Sequence, residues 1–359
     1  MAQAEAGGAR IAASAIAGLI HDAMTAVGLP PADAAKVAEL MVEADLTGAD
    51  AHGVFRLPQY VRRIKAGGVN PRASITVEKT APATAMVDGD NGMGHLVMQR
   101  AADTVIALAR DCGVAWVGAR RSNHAGAAGV YAAMTLPHDM IGIYAVVANA
   151  NHMPVWGGAE NLLGTNPIAF AVPAGQEAPV VLDIATTVVS YGTVKAHKLQ
   201  GKPMPEGWMI DAKEGKPLTD PARSAEGLLM PIGGHKGSGL ALVLGLLAGT
   251  LNGAAFGRDV VDFNADDESE CDTGHFIIAL DVARFRPIAA FKSEIDRQLR
   301  ELKASKPLPG FDDIRIPGDQ RRSRRAERAA KGVPVFPEVI EQLDKLAGEL
   351  KIKPLRERM

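Results

Sequence analysis

An α/β protein is predicted for this chain, on three observations. Short apolar runs of strand type alternate with amphipathic helical stretches through the middle of the sequence. The first part of the chain and its tail read as helical. Glycine-rich connections divide the strands at irregular intervals, rather than in even β-α-β units of about thirty residues. A doubly wound sheet of the Rossmann kind is therefore not expected.

The elements follow in order. Ile11 to Val27 and Pro31 to Asp45 read as helices separated by Gly28-Leu29-Pro30-Pro31, with the second proline suited to a first helical turn. A helical pattern from Val54 to Ala66 is stopped by Gly67-Gly68-Val69-Asn70-Pro71. Ile75 to Asp88 reads as a strand ending in the turn Asp88-Gly89-Asp90-Asn91-Gly92, which puts a boundary near residue 75. Met98 to Cys112 has helical spacing, and Val114 to Gly118, Ile141 to Ala148, Ile168 to Val172, Pro179 to Asp183 and Phe276 to Val282 read as strands. Gly233 to Ala254 joins a glycine-rich entrance to a long apolar helical segment, and Ile288 to Lys303 returns to helix. Arg321 to Lys331, with five arginines, reads as a solvated helix, with contact to a cofactor phosphate as the alternative.

Composition narrows the function. A chain of 359 residues with 47% hydrophobic and 22% charged residues can bury a large core in two or three structural domains. The formal charge of −2 gives no steering toward nucleic acid or an anionic membrane. Two cysteines make no disulfide framework: Cys112 is expected to pack in an apolar run, and Cys271 lies among acids that disfavour a thiolate. Met1 to Arg10 does not read as a signal peptide, and no apolar run reaches the roughly 20 residues of a membrane span, so a cytoplasmic protein is expected.

The most telling segment is Asp50-Ala51-His52-Gly53-Val54-Phe55-Arg56, followed by Tyr60. On a continuous helix, His52, Arg56 and Tyr60 would share one face. An imidazole can exchange a proton near neutral pH, and a guanidinium can hold a carboxylate through two parallel hydrogen bonds. The set suits an enzyme acting on a small acid whose reacting carbon lies beside its carboxylate. Asp50, two positions from His52, is poorly directed to orient the ring. Gly53 permits close approach of a ligand.

Four further segments carry candidate chemistry. Ser122-Asn123-His124-Ala125-Gly126 leads from a strand into a small-residue helix and exposes backbone donors to an anion; a capped tight turn is the plain alternative. Thr165 and Asn166 close a turn-rich insert that edges a pocket, where they can orient a substrate or satisfy backbone. Asp183, Thr186 and Thr187 end an apolar strand and can meet ribose, phosphate or loop amides. Gly233-Gly234-His235-Lys236-Gly237 has the chemistry of a phosphate cradle without the order of a P-loop. The acids Asp262, Asp266, Asp267, Glu268, Glu270 and Asp272, with His275, lack calcium or zinc spacing and read as a solvated loop, so no metal is expected. Phosphate-binding glycines beside an acid/base and a carboxylate clamp favour hydride transfer with an organic cofactor.

Across these blocks the chain resembles the malate/L-lactate dehydrogenase family that lacks a Rossmann domain. Asp50 to Arg56, Ser122 to Tyr131, Leu163 to Pro167, Leu182 to Thr187, Leu199 to Asp211, Gly233 to Leu242, Gly274-His275-Phe276 and Ile316-Pro317-Gly318 carry the resemblance. It implies a central mixed-sheet dinucleotide-binding domain over residues 76–310. A helical domain would form from residues 1–75, with the segment 311–359 packing against it. It also implies NAD or NADP as cofactor and a homodimer with its active site near the subunit interface. His52 and His124 match proton-transfer histidines, and Arg56 and Thr165 match substrate contacts, to which Tyr60 is added from the shared face. Ser122, His124, Ala125, Gly126, Asp183, Thr186, Thr187, His235, Lys236, Gly237 and the turn Pro317-Gly318-Asp319 fall in blocks that line the cofactor. Many relatives carry serine where this chain has Ala51, which leaves the division of labour between the two histidines open.

The expected reaction moves a hydride between the nicotinamide and a small 2-hydroxy or 2-oxo acid, with His52 exchanging the oxygen's proton. Reduction of a cyclic imine beside a carboxylate, oxidation of ureidoglycolate or a sugar acid, and a noncatalytic metabolite-binding protein are the alternatives.

Overall fold

The computed structural model describes residues 8–359. Strand β1 (Ala9–Ile11) precedes helices α1 (Ala13–Ala26), α2 (Pro31–Leu46) and α3 (Leu57–Ala66). In α1 the apolar residues Ile16, Leu19, Ile20, Ala23 and Met24 recur at helical spacing and are all buried. They pack in one cluster with Leu343, Leu346 and Ala347 from the far end of the chain. β1 also pairs antiparallel with β13 (Val333–Val335), Ala9 opposite Val335, so the two ends share one core. The opening helical pattern from Ile11 thus yields its first residue to a strand.

The next run folds as a hairpin, β2 (Thr76–Ala81) and β3 (Thr84–Asp88), instead of the single expected strand. Pro82 explains the break, since it has no amide proton for a ladder. Helix α4 (Gly94–Cys112) leads to β4 (Val114–Ser122), α5 (Ala128–Ala133), β5 (Met140–Val146), the small ladder β6 (Asn151–Met153) with β7 (Leu163–Gly164), β8 (Ile168–Val172) and β9 (Val180–Ile184). Then come α6 (Tyr191–Leu199), β10 (Met209–Asp211) paired with β11 (Gly227–Leu229), α7 (His235–Ala248), β12 (Thr273–Asp281), α8 (Ile288–Lys303), α9 (Asp319–Lys331), β13 and α10 (Pro337–Leu350).

Seven strands form the central sheet in the order β2-β3-β4-β12-β5-β8-β9. Only β3 and β4 run parallel; the other neighbours are antiparallel. The sheet is therefore mixed, and its connections explain why no regular β-α-β spacing is visible. Val97, Met98, Ala101, Ala102 and Val105 of α4 cover Val87, Val117, Ile277 and Ala279. On another cluster, Leu244 and Ala248 of α7 meet Val147 and Phe276. No helix among the described residues is long and apolar enough to cross a membrane.

Two sequence expectations are corrected here. Cys112 is exposed at the end of α4, its thiol donating to the Pro82 carbonyl at 3.2 Å, because the apolar run places it just past the buried face. Helix α9 is not merely solvated: Arg328 is buried and pairs with Asp50, Arg325 pairs with Glu43, and Arg321 pairs with Asp183. Its arginines clamp the N-terminal helices to the sheet, which leaves Arg321 bound to a carboxylate of the protein itself.

Candidate active site

His52 and Arg56 do not lie on one continuous α-helix. Two short 3-10 turns, Asp50–His52 and Val54–Arg56, meet at Gly53, whose φ and ψ of −94° and −142° break the helical register. The cause is Asp45. A Cβ at Gly53 would come 1.8 Å from its Oδ1, while the Val54 amide donates to Oδ2 at 2.9 Å. Gly53 thus makes room for a buried carboxylate of the protein. Burial raises the Asp45 carboxyl well above its ordinary range. Asp50 is held by Arg328, so it does not orient the His52 ring.

Instead, His52 lies parallel to His124, ring centroids 5.4 Å apart with an interplanar angle of 11°. His124 in turn stacks on Phe263 at 4.9 Å. Burial, reinforced by the Arg56 charge, lowers the His52 pKa to about 4; Asp183 opposes that shift and Arg321 adds to it. His52 is therefore a neutral imidazole at neutral pH. Its Nδ1 is buried with no hydrogen-bond partner among the described residues.

His124 is fixed more tightly. The Gly126 amide points at its Nδ1 at 3.3 Å, and the Tyr60 hydroxyl lies 2.6 Å from the same nitrogen. An amide can only donate, so Nδ1 is the acceptor, Tyr60 donates to it, and the ring proton resides on Nε2. Burial, then the charges of His52 and Arg56, lower the His124 pKa well below the ordinary value. Tyr60 is 2% exposed, and its hydroxyl faces His124. Its place in the wall is behind the histidine.

Arg56 is buried at 9% exposure. Nε donates to the Ala51 carbonyl at 2.9 Å, and Nη1 donates to Gln59 Oε1 at 2.8 Å and to Asn264 Oδ1 at 3.4 Å. Its Cζ lies 5.2 Å from the Phe263 ring centre. Nη2 has no acceptor, and no Asp or Glu pairs with this guanidinium among the described residues. A fixed cation without a counter-charge is a receptor for an anionic ligand.

Several residues of this wall were not singled out in the sequence. Phe263 and Asn264 come from the acidic loop, tied to the first segment where Gln59 Nε2 donates to the Phe263 carbonyl at 2.5 Å. Asn264 is braced by its own amide and side-chain NH2, both 2.9 Å from Asp262 Oδ1. Lys195 of α6 reaches Asn264 from the opposite side. His95 stands edge-on to Tyr60 with both ring nitrogens buried and unpartnered among the described residues, and burial lowers its pKa to about 3. Only the Asp-Asn spacing at 262 and 264 offered a signal, that of an Asx turn.

The remaining candidates divide. Ser122 is fully buried, its hydroxyl 3.1 Å from His275 Nε2. His275 belongs to the same core, with Nδ1 at 2.8 Å from the Tyr144 hydroxyl, and stands apart from the acidic loop. Thr186 and Thr187 are buried, their hydroxyls donating to the Thr165 and Val189 carbonyls, which fixes the strand exit. Asp183 Oδ2 accepts from the Gly129 amide at 2.8 Å and from Arg321 at 2.6 Å. Ala125 is buried, while Gly126, with φ of +80°, packs against His95 Nε2. Pro317 and Gly318 close on the sheet edge, the Val181 amide donating to the Pro317 carbonyl at 3.0 Å, and Asp319 is bound to Lys303. Thr165 is half-buried at the strand exit.

Comparison with known proteins decides the family. The family model described as malate/L-lactate dehydrogenase matches residues 11–344. The chain belongs to the malate/L-lactate dehydrogenase family. The L-sulfolactate dehydrogenase of Methanocaldococcus jannaschii is 38% identical over 92% of this chain and 94% of its own length. Its solved structure superposes with a TM-score of 0.89. The malate dehydrogenase of Pyrococcus horikoshii is 37% identical over 92% of this chain and 93% of its own, with a TM-score of 0.88 for the solved structure. The ureidoglycolate dehydrogenase (NAD(+)) of Escherichia coli strain K12 is 33% identical over 90% of this chain and 92% of its own.

As a member of this family the chain is an NAD(P)-dependent hydroxy-acid dehydrogenase, and its residues fit such a cofactor. Gly233 and Gly234 take positive φ of 60° and 65° immediately before α7, whose first amides carry no side-chain cap. His235 and Lys236 are exposed beside them, and Lys236 has no acidic partner among the described residues. Open amides with an unpaired cation suit a diphosphate. Gly237 is buried against the Ile232 backbone, where a Cβ would lie 2.2 Å from the carbonyl oxygen, so it shapes the turn. The Ile232 amide bonds the Thr186 carbonyl, and Gly192 of α6 abuts Ala51, so one stretch of chain runs from this turn to His52.

Proposed function

We propose that this enzyme interconverts a small 2-hydroxy acid and the matching 2-oxo acid. The single observation that carries the reading is the convergence of the parallel His52 and His124 rings with an unpaired, buried Arg56. The bound nicotinamide would supply the hydride acceptor in oxidation and the donor in reduction, with Gly233 to Lys236 holding its diphosphate. Arg56 holds the substrate carboxylate through Nη2 and Nη1, displacing the longer contact to Asn264. His124 donates from Nε2 to the substrate oxygen, because Tyr60 and Gly126 hold its proton there. His52, neutral and stacked alongside, accepts the hydroxyl proton during oxidation and returns it during reduction. The Phe263 ring closes the wall and limits water. Thr165, at the strand exit, steadies the carboxylate end.

The test is a change in nicotinamide absorbance when the purified protein meets a panel of 2-oxo acids, 2-hydroxy acids and pyrroline-2-carboxylate with each cofactor. Turnover of oxo or hydroxy acids is expected with at least one cofactor. Turnover of the imine alone would move the activity to the imine reductases, and no turnover despite cofactor binding would leave a metabolite-binding protein.

The assembly we propose is a homodimer joined through α7. Leu240, Leu242, Val243 and Leu246 are exposed along that helix, with Leu251 just beyond it at 61% exposure. An exposed apolar helix face of this kind marks an interaction surface, and a second copy of the chain is the occupant proposed for it. Because His235 and Lys236 begin the same helix, the interface adjoins the cofactor turn. Val243→Asp combined with Leu246→Glu is expected to convert a dimer to a monomer in sedimentation velocity; a monomeric wild type would end this proposal.

A further inference from the structure

Lys195 is a cation of the site wall that the mechanism above does not use. It stands on α6, whose Gly192 lies so close to the His52 turn that a Cβ there would be 3.1 Å from Ala51 Cβ. Its Nζ donates to Asn264 Oδ1 at 2.9 Å, the same oxygen that receives Arg56 Nη1 at 3.4 Å. Asn264 cannot turn away, since its NH2 is committed to Asp262 Oδ1 at 2.9 Å. Lys195 also lies 5.5 Å from the Tyr191 ring centre, and that ring is stacked on His152 at 3.7 Å.

Two positive side chains therefore converge on one neutral oxygen. Among the described residues neither has a carboxylate within ion-pairing distance. Burial first, and then the Arg56 charge, lower the Lys195 pKa, while Asp262 opposes that shift. A single substrate carboxylate would neutralise Arg56 and leave the half-buried ammonium with only Asp262, beyond ion-pairing distance, to offset its charge. An acid carrying a second anionic group would satisfy both and relieve their mutual repulsion.

We infer that Lys195 receives a second anionic group of the substrate, so that the site selects dianionic hydroxy and oxo acids over monocarboxylates. This rests on the hydroxy-acid reading given above. Asn264, held by Asp262, is then a spacer that fixes the separation of the two cations, and the two anionic groups of the ligand replace its Oδ1 as their acceptors.

The experiment compares kcat/KM for malate, sulfolactate and lactate in the full-length protein, in Lys195→Met and in Lys195→Arg. The wild type is expected to prefer both dianions. Lys195→Met is expected to lower kcat/KM roughly ten- to a hundredfold for the dianions, the range of a hydrogen bond to a charged group, and to lower it much less for lactate. Lys195→Arg should restore part of the preference. Selective loss with malate alone, or with sulfolactate alone, identifies a carboxylate or a sulfonate as the group received. Equal losses on all three acids, or a change confined to the KM of the cofactor, would overturn the assignment. If the wild type oxidises none of them, the parent reading has failed. Calorimetric titration of malate into the protein with cofactor present then judges Lys195 alone, by whether Lys195→Met weakens binding.

Discussion

His52→Ala is expected to lower kcat about a hundred- to ten-thousandfold, the contribution of a positioned acid/base, while the nicotinamide cofactor still binds. The wild-type pH profile gives the same group a signature. With a pKa near 4 in the free enzyme, His52 is already the free base at neutral pH. Oxidation of a hydroxy acid requires that base, so its kcat/KM stays level through neutrality and falls as the pH drops through about 4. Reduction requires the protonated ring, so its kcat/KM falls as the pH rises above that value, by about tenfold per pH unit. Both limbs should vanish in His52→Ala. Tyr60→Phe is the comparator: it removes the bond to His124 Nδ1 yet leaves His52 in place, so a milder loss with both limbs retained is expected. A kcat unaffected by His52→Ala would transfer the proton to His124.

These assignments depend on a cluster of imidazoles kept neutral together. His52, His95 and His124 each have a pKa lowered chiefly by burial, and His52 further lowers the other two. Only one of them can take up a proton without repelling the rest. Of the stacked pair, His124 is committed at Nδ1 to two donors, whereas His52 Nδ1 is not. Protonating His124 would set an N–H against the Gly126 amide. The cheaper proton carrier is His52.

What could be read from the sequence was local. His52, Arg56, Tyr60 and His124 stood out because each lies in a short motif with its own chemistry, and the structure brings all four into one wall. The reason given for their convergence was wrong in detail. A shared helix face was expected, yet the helical register breaks at Gly53, against which the buried Asp45 carboxyl packs, and the His52 and His124 rings meet by stacking. Phe263, Asn264 and Lys195 were missed because nothing near them in sequence marks them as a site. Tertiary folding carries the acidic loop and α6 across to Arg56. Ser122, Thr186 and Thr187 stood out in the same way, and their hydroxyls bond His275, the Thr165 carbonyl and the Val189 carbonyl, partners that only the folded chain brings to them. In the fold, helices with clear periodicity such as Ile288–Lys303 were located to the residue, while the β2-β3 hairpin was hidden by a pattern that reads equally well as one strand. Position in the chain tells which residues are available; burial and pairing decide which of them face a ligand.

Arg56→Ala is expected to reduce kcat/KM roughly thirty- to several-thousandfold for every carboxylate substrate, corresponding to about 2–5 kcal/mol for removing one partner of a buried charge pair. The loss should fall on KM and kcat together, since the clamp both binds the acid and sets its carbon against the nicotinamide. Arg56→Lys should recover little. An ammonium cannot reach the Ala51 carbonyl, Gln59 and a ligand with one planar fork. The same anchors mean that Arg56→Ala also loosens the His52 turn, so a fall in activity alone would be ambiguous. Guanidinium added in solution separates the two causes: partial rescue of Arg56→Ala identifies a missing charge, whereas a displaced turn gains nothing from it. Unchanged cofactor affinity in the variant would complete the case for a substrate clamp. Wild-type KM and kcat in Arg56→Ala would remove the carboxylate from this wall, and the hydroxy-acid reading with it.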